Sequence, residues 1–219
     1  MKNRYIKVIA KRNSVYICFN LNYVNYEIDS DSIRLLKINK NLLMKKLLKI
    51  IGVILAVFIA YCVIAMLFFD SKCHNEQSLV INAPKEKVWQ YVNSMKAFNT
   101  WNPWMKYDPN LAVTYKGTSG EVGDGYHWKG NEDVGEGEQE ITAITPGEKV
   151  ATKMHFIKPM DDTATSDLLL TSEGSGTKVT WNIDYEIETL YKPMRPLMTW
   201  QMNKSFSEGL GKLKELSEK

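Results

Sequence analysis

Residues 176–219 read GTKVTWNIDYEIETLYKPMRPLMTWQMNKSFSEGLGKLKELSEK, a strand pattern followed directly by a helix pattern. Apolar and polar residues alternate first, which predicts a strand over Thr177–Glu188 with one buried face. The apolar members of this strand are Val179, Trp181, Ile183 and Tyr185. Apolar residues then recur every three or four positions, which predicts a long helix from about Pro193 to Ser217. Its apolar stripe contains Met194, Met198, Met202, Phe206, Leu210 and Leu213.

Six shorter segments upstream also have strand patterns. They are Gln77–Asn82, Leu111–Tyr115, Gly125–Trp128, Gly135–Ile144, Val150–Ile157 and Thr163–Thr171. Turn residues separate the later ones, and short turns between consecutive strands predict an antiparallel meander. A helix that starts at Pro84 and a short helix or turn over Phe98–Trp104 are predicted after the first strand. This order predicts an α+β domain in which a curved antiparallel sheet wraps around the last helix.

Residues 50–69 form the second strong signal, because this stretch of twenty residues has no charged side chain. A helix of that length spans about 30 Å, the hydrocarbon thickness of a bilayer. Lys45, Lys46 and Lys49 precede it, whereas Asp70 and Lys72 cancel after it. The positive-inside rule then predicts a cytoplasmic N-terminus and an extracytoplasmic C-terminal domain. A cleaved signal peptide is disfavoured, because the run is too long and lacks a small-residue cleavage site.

The chain therefore divides into three predicted regions. Residues 1–43 form a basic, poorly structured extension, in which a short β element is conceivable around Val15–Phe19. Residues 44–70 form a transmembrane signal anchor, and residues 74–219 form the α+β domain. Met44 begins a short basic segment typical of a signal anchor, so we expect it to be the biological start. A genuine cytoplasmic tail over residues 1–43 is the alternative.

Charge and cysteine content exclude several classes of protein. The net charge of +3 divides into +8 over residues 1–49 and −5 over residues 70–219, so the folded part is acidic and nucleic-acid binding is not expected. The cysteines are Cys18, Cys62 and Cys73, which excludes a disulfide-stapled C-terminal domain. The three histidines lack metal-ligand spacing, and no metal or cofactor is expected.

Several local strings, taken in order, resemble the SRPBCC superfamily (START-like, helix-grip). Within it, the polyketide cyclase/dehydrase and lipid-transport subgroup is the most similar. The matching strings are Val80-Ile81-Asn82-Ala83-Pro84, Lys87-Val88-Trp89, Trp101-Asn102-Pro103-Trp104, Tyr126-His127-Trp128-Lys129-Gly130-Asn131, Gly135-Glu136-Gly137 and Gly176-Thr177-Lys178-Val179-Thr180-Trp181. The resemblance covers about residues 76–217. It implies a cavity between sheet and C-terminal helix that holds an apolar ligand, and it supplies no universal catalytic residue.

Aromatic and methionine side chains are the candidate ligand-binding residues, because Met-rich surfaces adapt to varied apolar shapes. The predicted cavity lining is Tyr126, Trp128, Met154, Phe156, Trp181, Tyr185, Met194, Met198 and Met202. Trp101 and Trp104 are predicted at the cavity mouth, or alternatively in an aromatic contact with the membrane interface, where tryptophan is enriched. An ordinary filled core, with the two tryptophans packed at the sheet edge, is the alternative.

Ionisable residues are weaker candidates. The acidic residues Glu136, Glu138 and Glu140 share one strand face, and like charges in a row indicate a solvated surface. His127 and His155 are out of phase with their apolar neighbours and are expected to point away from the core. Asp167, in an otherwise apolar strand, is the best candidate for a polar group near the cavity. No nucleophile motif or phosphate loop is present, so no catalytic residue is assigned.

The sequence thus predicts a membrane-anchored protein that binds a lipid or another hydrophobic small molecule. One alternative is a cyclase or dehydratase that acts on an apolar polyketide-like substrate in the same cavity. A second alternative is a protein-interaction module that resembles chaperone activators and has a filled interior. The identity of the ligand and of any protein partner stays open at this point.

Overall fold

The computed structural model describes residues 6–11, 14–19 and 26–219, and it divides into two compact units, Met1–Tyr61 and Cys62–Lys219. In the first unit, β1 (Ile6–Lys11), β2 (Ser14–Phe19) and β3 (Tyr26–Asp29) form an antiparallel sheet. Helix α1 (Ser30–Phe68) follows β3 directly. The described parts of residues 1–43 therefore hold three strands and a helix start, where the sequence predicts little structure.

Helix α1 begins twenty residues before the uncharged run that revealed it in the sequence. Neither glycine nor proline occurs between Ser30 and Ile51, so nothing interrupts the helix on the N-terminal side of that run. Its Leu42–Phe68 portion is long and apolar enough to cross a membrane, by length and composition. Only 6% of its apolar stretch is buried within the protein, whereas the core helix of a globular domain is mostly buried.

The second unit is built on a seven-stranded antiparallel sheet with the order β4-β10-β9-β8-β7-β6-β5. Its strands are β4 (Lys72–Ile81), β5 (Ala112–Lys116), β6 (Gly125–Lys129), β7 (Glu136–Thr145), β8 (Lys149–Lys158), β9 (Asp162–Glu173) and β10 (Gly176–Glu186). From β5 to β10 each strand pairs with the next in sequence, and β4 pairs with β10 at the other edge. The predicted meander is confirmed.

Short helices connect β4 to β5, and a long helix closes the chain. The connection contains α2 (Lys85–Trp89), α3 (Met95–Phe98) and a 3-10 helix (Pro103–Lys106). A second 3-10 helix (Thr189–Met194) leads into α4 (Arg195–Ser217). The helix predicted after Pro84 is short, and the apolar residues that continue its pattern lie in turns before α3. The Ser94 hydroxyl caps α3 by accepting a hydrogen bond from the Ala97 N–H at 3.2 Å.

The sheet and α4 meet at Trp181 on β10. Its ring stacks on Phe206 of α4, with centroids 4.1 Å apart and planes 12° from parallel. Trp101 and Phe98 pack edge-on against the same ring, with centroids at 5.1 and 5.5 Å. A Cβ atom at Gly209 would lie 2.9 Å from Trp181 Cζ3, which is closer than ordinary contact. The close approach of α4 to the Trp181 ring therefore depends on the absence of a side chain at position 209.

Two glycines of α4 offer a matched test of this contact. Gly209→Ala places a methyl group against the rigid Trp181 ring, so we expect the free energy of unfolding to fall by about 1–2 kcal/mol. Gly211→Ala, which would meet nothing within 4 Å, should raise it by up to about 1 kcal/mol through helix propensity. Urea unfolding of the full chain in detergent, followed by tryptophan fluorescence, measures both changes, because all six tryptophans lie between residues 89 and 200. Equal effects of the two substitutions would contradict the close-contact explanation.

Candidate functional site

A cavity of about 240 Å3 lies between the concave face of the sheet, α4 and the segment that contains α3 and the first 3-10 helix. Most of its wall is aromatic, aliphatic or methionine side chains. These are Phe98, Trp104, Met105, Trp128, Val134, Met154, Phe156, Trp181, Ile183, Met202 and Phe206. Its polar or ionisable wall residues are Asn102, Tyr126, Asp133, Gln139 and Ser166. The composition, apolar with a few polar groups, is typical of a small-molecule site.

The strands bring most of the predicted lining residues to this cavity. Its wall contains Tyr126, Trp128, Met154, Phe156, Trp181 and Met202, together with Trp104 from the predicted mouth. Trp128 lies flat over the sheet because its cross-strand neighbour is Gly137, where a Cβ atom would be 2.6 Å from the indole ring. The alternating phase of β6, β8 and β10 accounts for these positions.

Four predicted residues lie elsewhere. Tyr185 is near the far end of β10, where its hydroxyl donates to Asn75 Oδ1 at 3.3 Å. Trp101 is buried beside Trp181, and its indole N–H donates to the Tyr91 carbonyl at 2.8 Å. Met198 is half-buried off the cavity wall, and Met194 is 49% exposed.

Position along the two helices explains why Met202 reaches the cavity and the two earlier methionines do not. Each step of four residues rotates a side chain by about 40° around the helix axis, because a turn takes 3.6 residues. Met194 ends the 3-10 helix before α4, and within α4 the step from Met198 to Met202 turns the side chain toward the cavity. A stripe of four-residue steps therefore cannot keep all its members on one wall.

A chain of hydrogen bonds crosses the polar side of the cavity, and the sequence did not indicate it. The Asn102 side-chain amide donates to the Tyr126 hydroxyl at 3.4 Å, and that hydroxyl donates to Gln139 Oε1 at 3.0 Å. Gln139 Nε2 in turn donates to the Thr152 hydroxyl at 2.9 Å. All four side chains are buried. Because each has a partner, the polar wall is already satisfied before a ligand arrives.

Ser166 forms a second polar point on the same wall. Its hydroxyl accepts the Trp181 indole N–H at 3.0 Å and donates to the Asn182 carbonyl at 2.6 Å. These two bonds orient the Trp181 ring that separates the cavity from the rest of the core. Ser166 therefore links the polar wall to the aromatic contact that holds α4.

Burial raises the pKa of the Tyr126 phenol well above its usual range. The group is therefore neutral at physiological pH and donates its proton in a hydrogen bond to Gln139. A neutral phenol can donate and accept hydrogen bonds but does not act as a general base.

Cross-strand register explains why these residues meet, although only Tyr126 among them is a predicted cavity residue. Tyr126 and Gln139 are direct partners in the β6–β7 ladder, and Thr152 pairs with Ser166 between β8 and β9. In the sequence, Gln139 stands between Glu138 and Glu140 and looks like part of an acidic surface. The available signal was that Gln139 lies two positions before the apolar residue Ile141. Residues two apart on a strand share one face, and in the structure both are buried.

Asp167 does not lie near the cavity, because its neighbour Ser166 occupies the inward position. The Asp167 carboxylate forms an ion pair with Lys149 at 2.8 Å on the outer face of the sheet. The apolar run Leu168-Leu169-Leu170 hides the alternation of β9 in the sequence. In the structure Leu168 and Leu170 are buried and Leu169 is only half-buried.

The acidic face of β7 is also on the outer side, as its spacing predicts. Lys158 lies 3.1 Å from Glu136 and holds the pKa of that carboxyl below its usual range. Lys116 on β5 lies 3.1 Å from both Glu138 and Glu140. Lys116 and Lys158 therefore offset the repulsion among the three glutamates. His127 and His155 are on this face too, 3.5 Å from Glu136 and 2.8 Å from Asp161.

The buried carboxylates Asp108 and Asp124 accept hydrogen bonds from backbone N–H groups. Asp124 accepts the N–H groups of Met95 and Gly120 at 3.0 and 2.9 Å, and Asp108 accepts that of Asn131 at 2.7 Å. They thereby tie loops to the sheet. Within the described residues, no group of three or more His, Cys, Asp or Glu is arranged to hold a metal ion.

Comparison with known proteins supports the fold. The family model described as "Polyketide cyclase / dehydrase and lipid transport" matches residues 72–218. No curated protein matches the chain significantly.

Among solved structures, TTHA0849 from Thermus thermophilus is 18% identical, with a TM-score of 0.50 over 66% of this chain and 97% of that one. BH1534 from Bacillus halodurans is 17% identical, with a TM-score of 0.48 over 67% and 97% of the two chains. CV1439 from Chromobacterium violaceum is 16% identical, with a TM-score of 0.47 over 67% and 97%. At these identities the likeness concerns the fold alone. The predicted helix-grip fold is confirmed by the family match and the observed topology.

Tyr126→Phe tests the buried phenol through the pH dependence of stability. The folded-state pKa of Tyr126 is raised above the value of about 10 in the unfolded chain, so its stabilisation is complete below pH 10 and declines above it. Tyr126→Phe should lower stability at pH 7 by about 1–3 kcal/mol, because Gln139 loses its donor. The substitution should also make the decline of the free energy of unfolding above pH 10 shallower, by up to about 1.4 kcal/mol per pH unit.

Urea unfolding of the full chain in detergent at pH 7 to 11 measures both effects. Tyr191→Phe removes a half-buried phenol outside the cavity and is the control. An unchanged slope above pH 10 in Tyr126→Phe would show that this phenol is not the titrating group.

Proposed function

The chain belongs to the polyketide cyclase/dehydrase and lipid transport family, and from this premise we propose that its second unit binds an apolar small molecule in the described cavity. We further propose that α1 holds this unit at a membrane. The observation that carries the proposal is the cavity itself, about 240 Å3 of space walled by aromatic and methionine side chains with one satisfied polar side.

The wall indicates the chemical class of the ligand. None of its residues is Lys, Arg or His, and its carboxylate is Asp133, an exposed residue. A buried anionic headgroup would find no cation there, so we expect the enclosed part of the ligand to be uncharged. Tyr126, Asn102 and Gln139 suit a single carbonyl or hydroxyl group. The volume lies below the range of about 300–1,000 Å3 for drug-sized ligands, which favours a compact molecule or one segment of a longer chain.

Burial of apolar surface provides the driving force. At roughly 25 cal/mol per Å2, enclosing about 200–300 Å2 of ligand surface contributes on the order of 5–8 kcal/mol before association costs. The polar wall contributes more to ligand selectivity than to affinity. Its groups already have hydrogen-bond partners, so a ligand group gains little by replacing one of these bonds and loses affinity if it cannot.

Binding is better supported than proton-transfer chemistry. The ionisable groups of the wall are the Tyr126 phenol and the exposed Asp133 carboxylate. Burial keeps the phenol neutral, and the Asp133 side chain is exposed to solvent rather than enclosed by the cavity. The cyclase or dehydratase alternative would require one of these two groups to act on the substrate directly.

The Leu42–Phe68 portion of α1 supports membrane attachment. Its 27 residues exceed the length needed to cross about 30 Å of hydrocarbon. Under the positive-inside rule, Lys45, Lys46 and Lys49 support a cytoplasmic N-terminal side and therefore the opposite side for the second unit. A ligand that partitions into the bilayer would then be concentrated near the cavity.

Native mass spectrometry of the full chain, extracted from cells in a mild detergent, tests ligand binding. We expect a reproducible non-covalent adduct that Met154→Trp abolishes, because the larger ring fills the cavity. Met160→Trp makes the same change at a residue that is 48% exposed, and it should retain the adduct. Near-UV circular dichroism checks that both variants fold. An adduct that survives Met154→Trp, or its absence after incubation with a lipid extract, would contradict the proposal.

Membrane attachment is tested by carbonate extraction and vesicle flotation. The wild-type chain should remain with the membrane at alkaline pH. The double variant Val57→Lys and Ala60→Lys should be extracted, because each charge costs about 2.5–3.5 kcal/mol at a helix centre. Val122→Lys, at an exposed position of the second unit, should behave as wild type. Release of the wild-type chain by carbonate would refute the anchor.

A further inference from the structure

Outside α1, exposed apolar side chains are concentrated where the chain enters α4. Leu190, Met194, Leu197 and Trp200 are 67%, 49%, 58% and 59% exposed and define what we call the Leu190–Trp200 face. They recur every three or four residues through the 3-10 helix and the first turns of α4, which is the spacing of one helical face. Val122 is similarly exposed, but its sequence neighbours are Glu121 and Gly123. A continuous apolar face of this kind indicates an interaction surface.

The charged side chains within this face are all basic, and the nearest acidic residue before it in the chain is Glu188, two positions from Leu190. Residues 189–207 contain Lys192, Arg195 and Lys204 and no aspartate or glutamate. The Lys204 ammonium group lies 5.5 Å from the centre of the Trp200 ring. An aromatic and aliphatic face with a basic border is typical of helices that lie in the interface of an anionic bilayer.

Two hydrogen bonds place the start of this face beside the end of α1. The Arg195 guanidinium donates to the Asp70 carbonyl at 3.2 Å, and the Ile187 N–H donates to the Ser71 carbonyl at 2.9 Å. Asp70 follows Phe68, the last residue of α1, by two positions. If α1 crosses a bilayer, Asp70 lies at its surface, and Arg195 is held at the same level.

We propose that the Leu190–Trp200 face lies in the interface of the bilayer that α1 crosses, with Lys192, Arg195 and Lys204 facing anionic phospholipid headgroups. The proposal rests on the membrane attachment proposed above and is independent of whether the cavity holds a ligand. Trp200 and Leu197 would enter the boundary between headgroups and acyl chains, where tryptophan is enriched. The basic side chains would remain at the phosphate level, with their aliphatic stems along the apolar face.

Docking of this face would also give the second unit a defined orientation. The same helix carries Met202 and Phe206, two and six residues after Trp200, on the cavity wall. The interfacial face and part of the cavity wall are therefore presented by one rigid element.

Quenching of tryptophan by brominated lipid tests the proposal with the full chain. The chain is reconstituted into vesicles of phosphatidylcholine and phosphatidylglycerol, with either native or dibrominated acyl chains. Bromine quenches a tryptophan only near contact. We expect Trp200→Phe to remove at least half of the fluorescence loss that brominated lipid causes in wild type. Trp89→Phe is the matched control, because Trp89 lies in α2 beyond the opposite end of the ten-residue strand β4 and should not contribute.

A second pair of variants tests the same face without altering a tryptophan. Met194→Glu combined with Leu197→Glu should reduce the bromine-dependent loss at least twofold, because two carboxylates oppose insertion next to anionic lipid. Val122→Glu should leave it unchanged. Both variants change exposed positions, and near-UV circular dichroism verifies their folds.

Flotation of the same vesicles separates the possible failures. A chain that floats, but whose quenching is equal in wild type and Trp200→Phe, overturns the interfacial proposal alone and leaves the face to a protein partner or a second copy. A chain that does not float overturns the membrane attachment and this proposal with it. Loss of quenching in Trp200→Phe with retained flotation supports the proposal.

Discussion

The stacking of Trp181 on Phe206 is the contact on which the second unit depends. It sets the separation between β10 and α4, and it depends on Gly209, which lets the helix backbone approach the indole ring. Trp101 and Phe98 pack edge-on against the same ring and close one end of the space between sheet and helix. The open end of that space is the cavity. The same ring is thus both the centre of the core and a wall of the candidate site.

The cavity persists because its walls cannot easily collapse into it. The surrounding rings are held edge-to-face or stacked, and the Trp181 indole N–H is fixed by Ser166. The polar side is braced by hydrogen bonds from Asn102 through Tyr126 and Gln139 to Thr152. If any of these groups moved inward, its buried partner would lose a hydrogen bond. An unpaired polar group costs free energy in a medium of low polarity. Close packing at one end and a satisfied network at the other preserve the empty volume.

The fold and much of the apolar wall were predictable from local patterns. Alternation placed Trp128, Met154, Phe156 and Trp181 on inward faces, and the structure positions them there. Alternation gave the wrong result where neighbouring residues hid it. The run Leu168-Leu169-Leu170 concealed the phase of β9 and drew attention to Asp167 instead of Ser166. The acidic neighbours of Gln139 concealed its inward position. The four-residue spacing of Met194, Met198 and Met202 suggested a common wall, although only the last of them reaches it.

The sequence by itself determined the helix-grip arrangement of strands and helices and the long apolar helix that precedes it, because both follow from the period and length of hydrophobic segments. Only the tertiary structure decided which side chains share the cavity. Asn102, Tyr126, Gln139 and Thr152 come from a loop and three strands, and they meet through strand register and the curvature of the sheet. Contacts across strands depend on positions far apart in the chain, and no local period of the sequence encodes those distances.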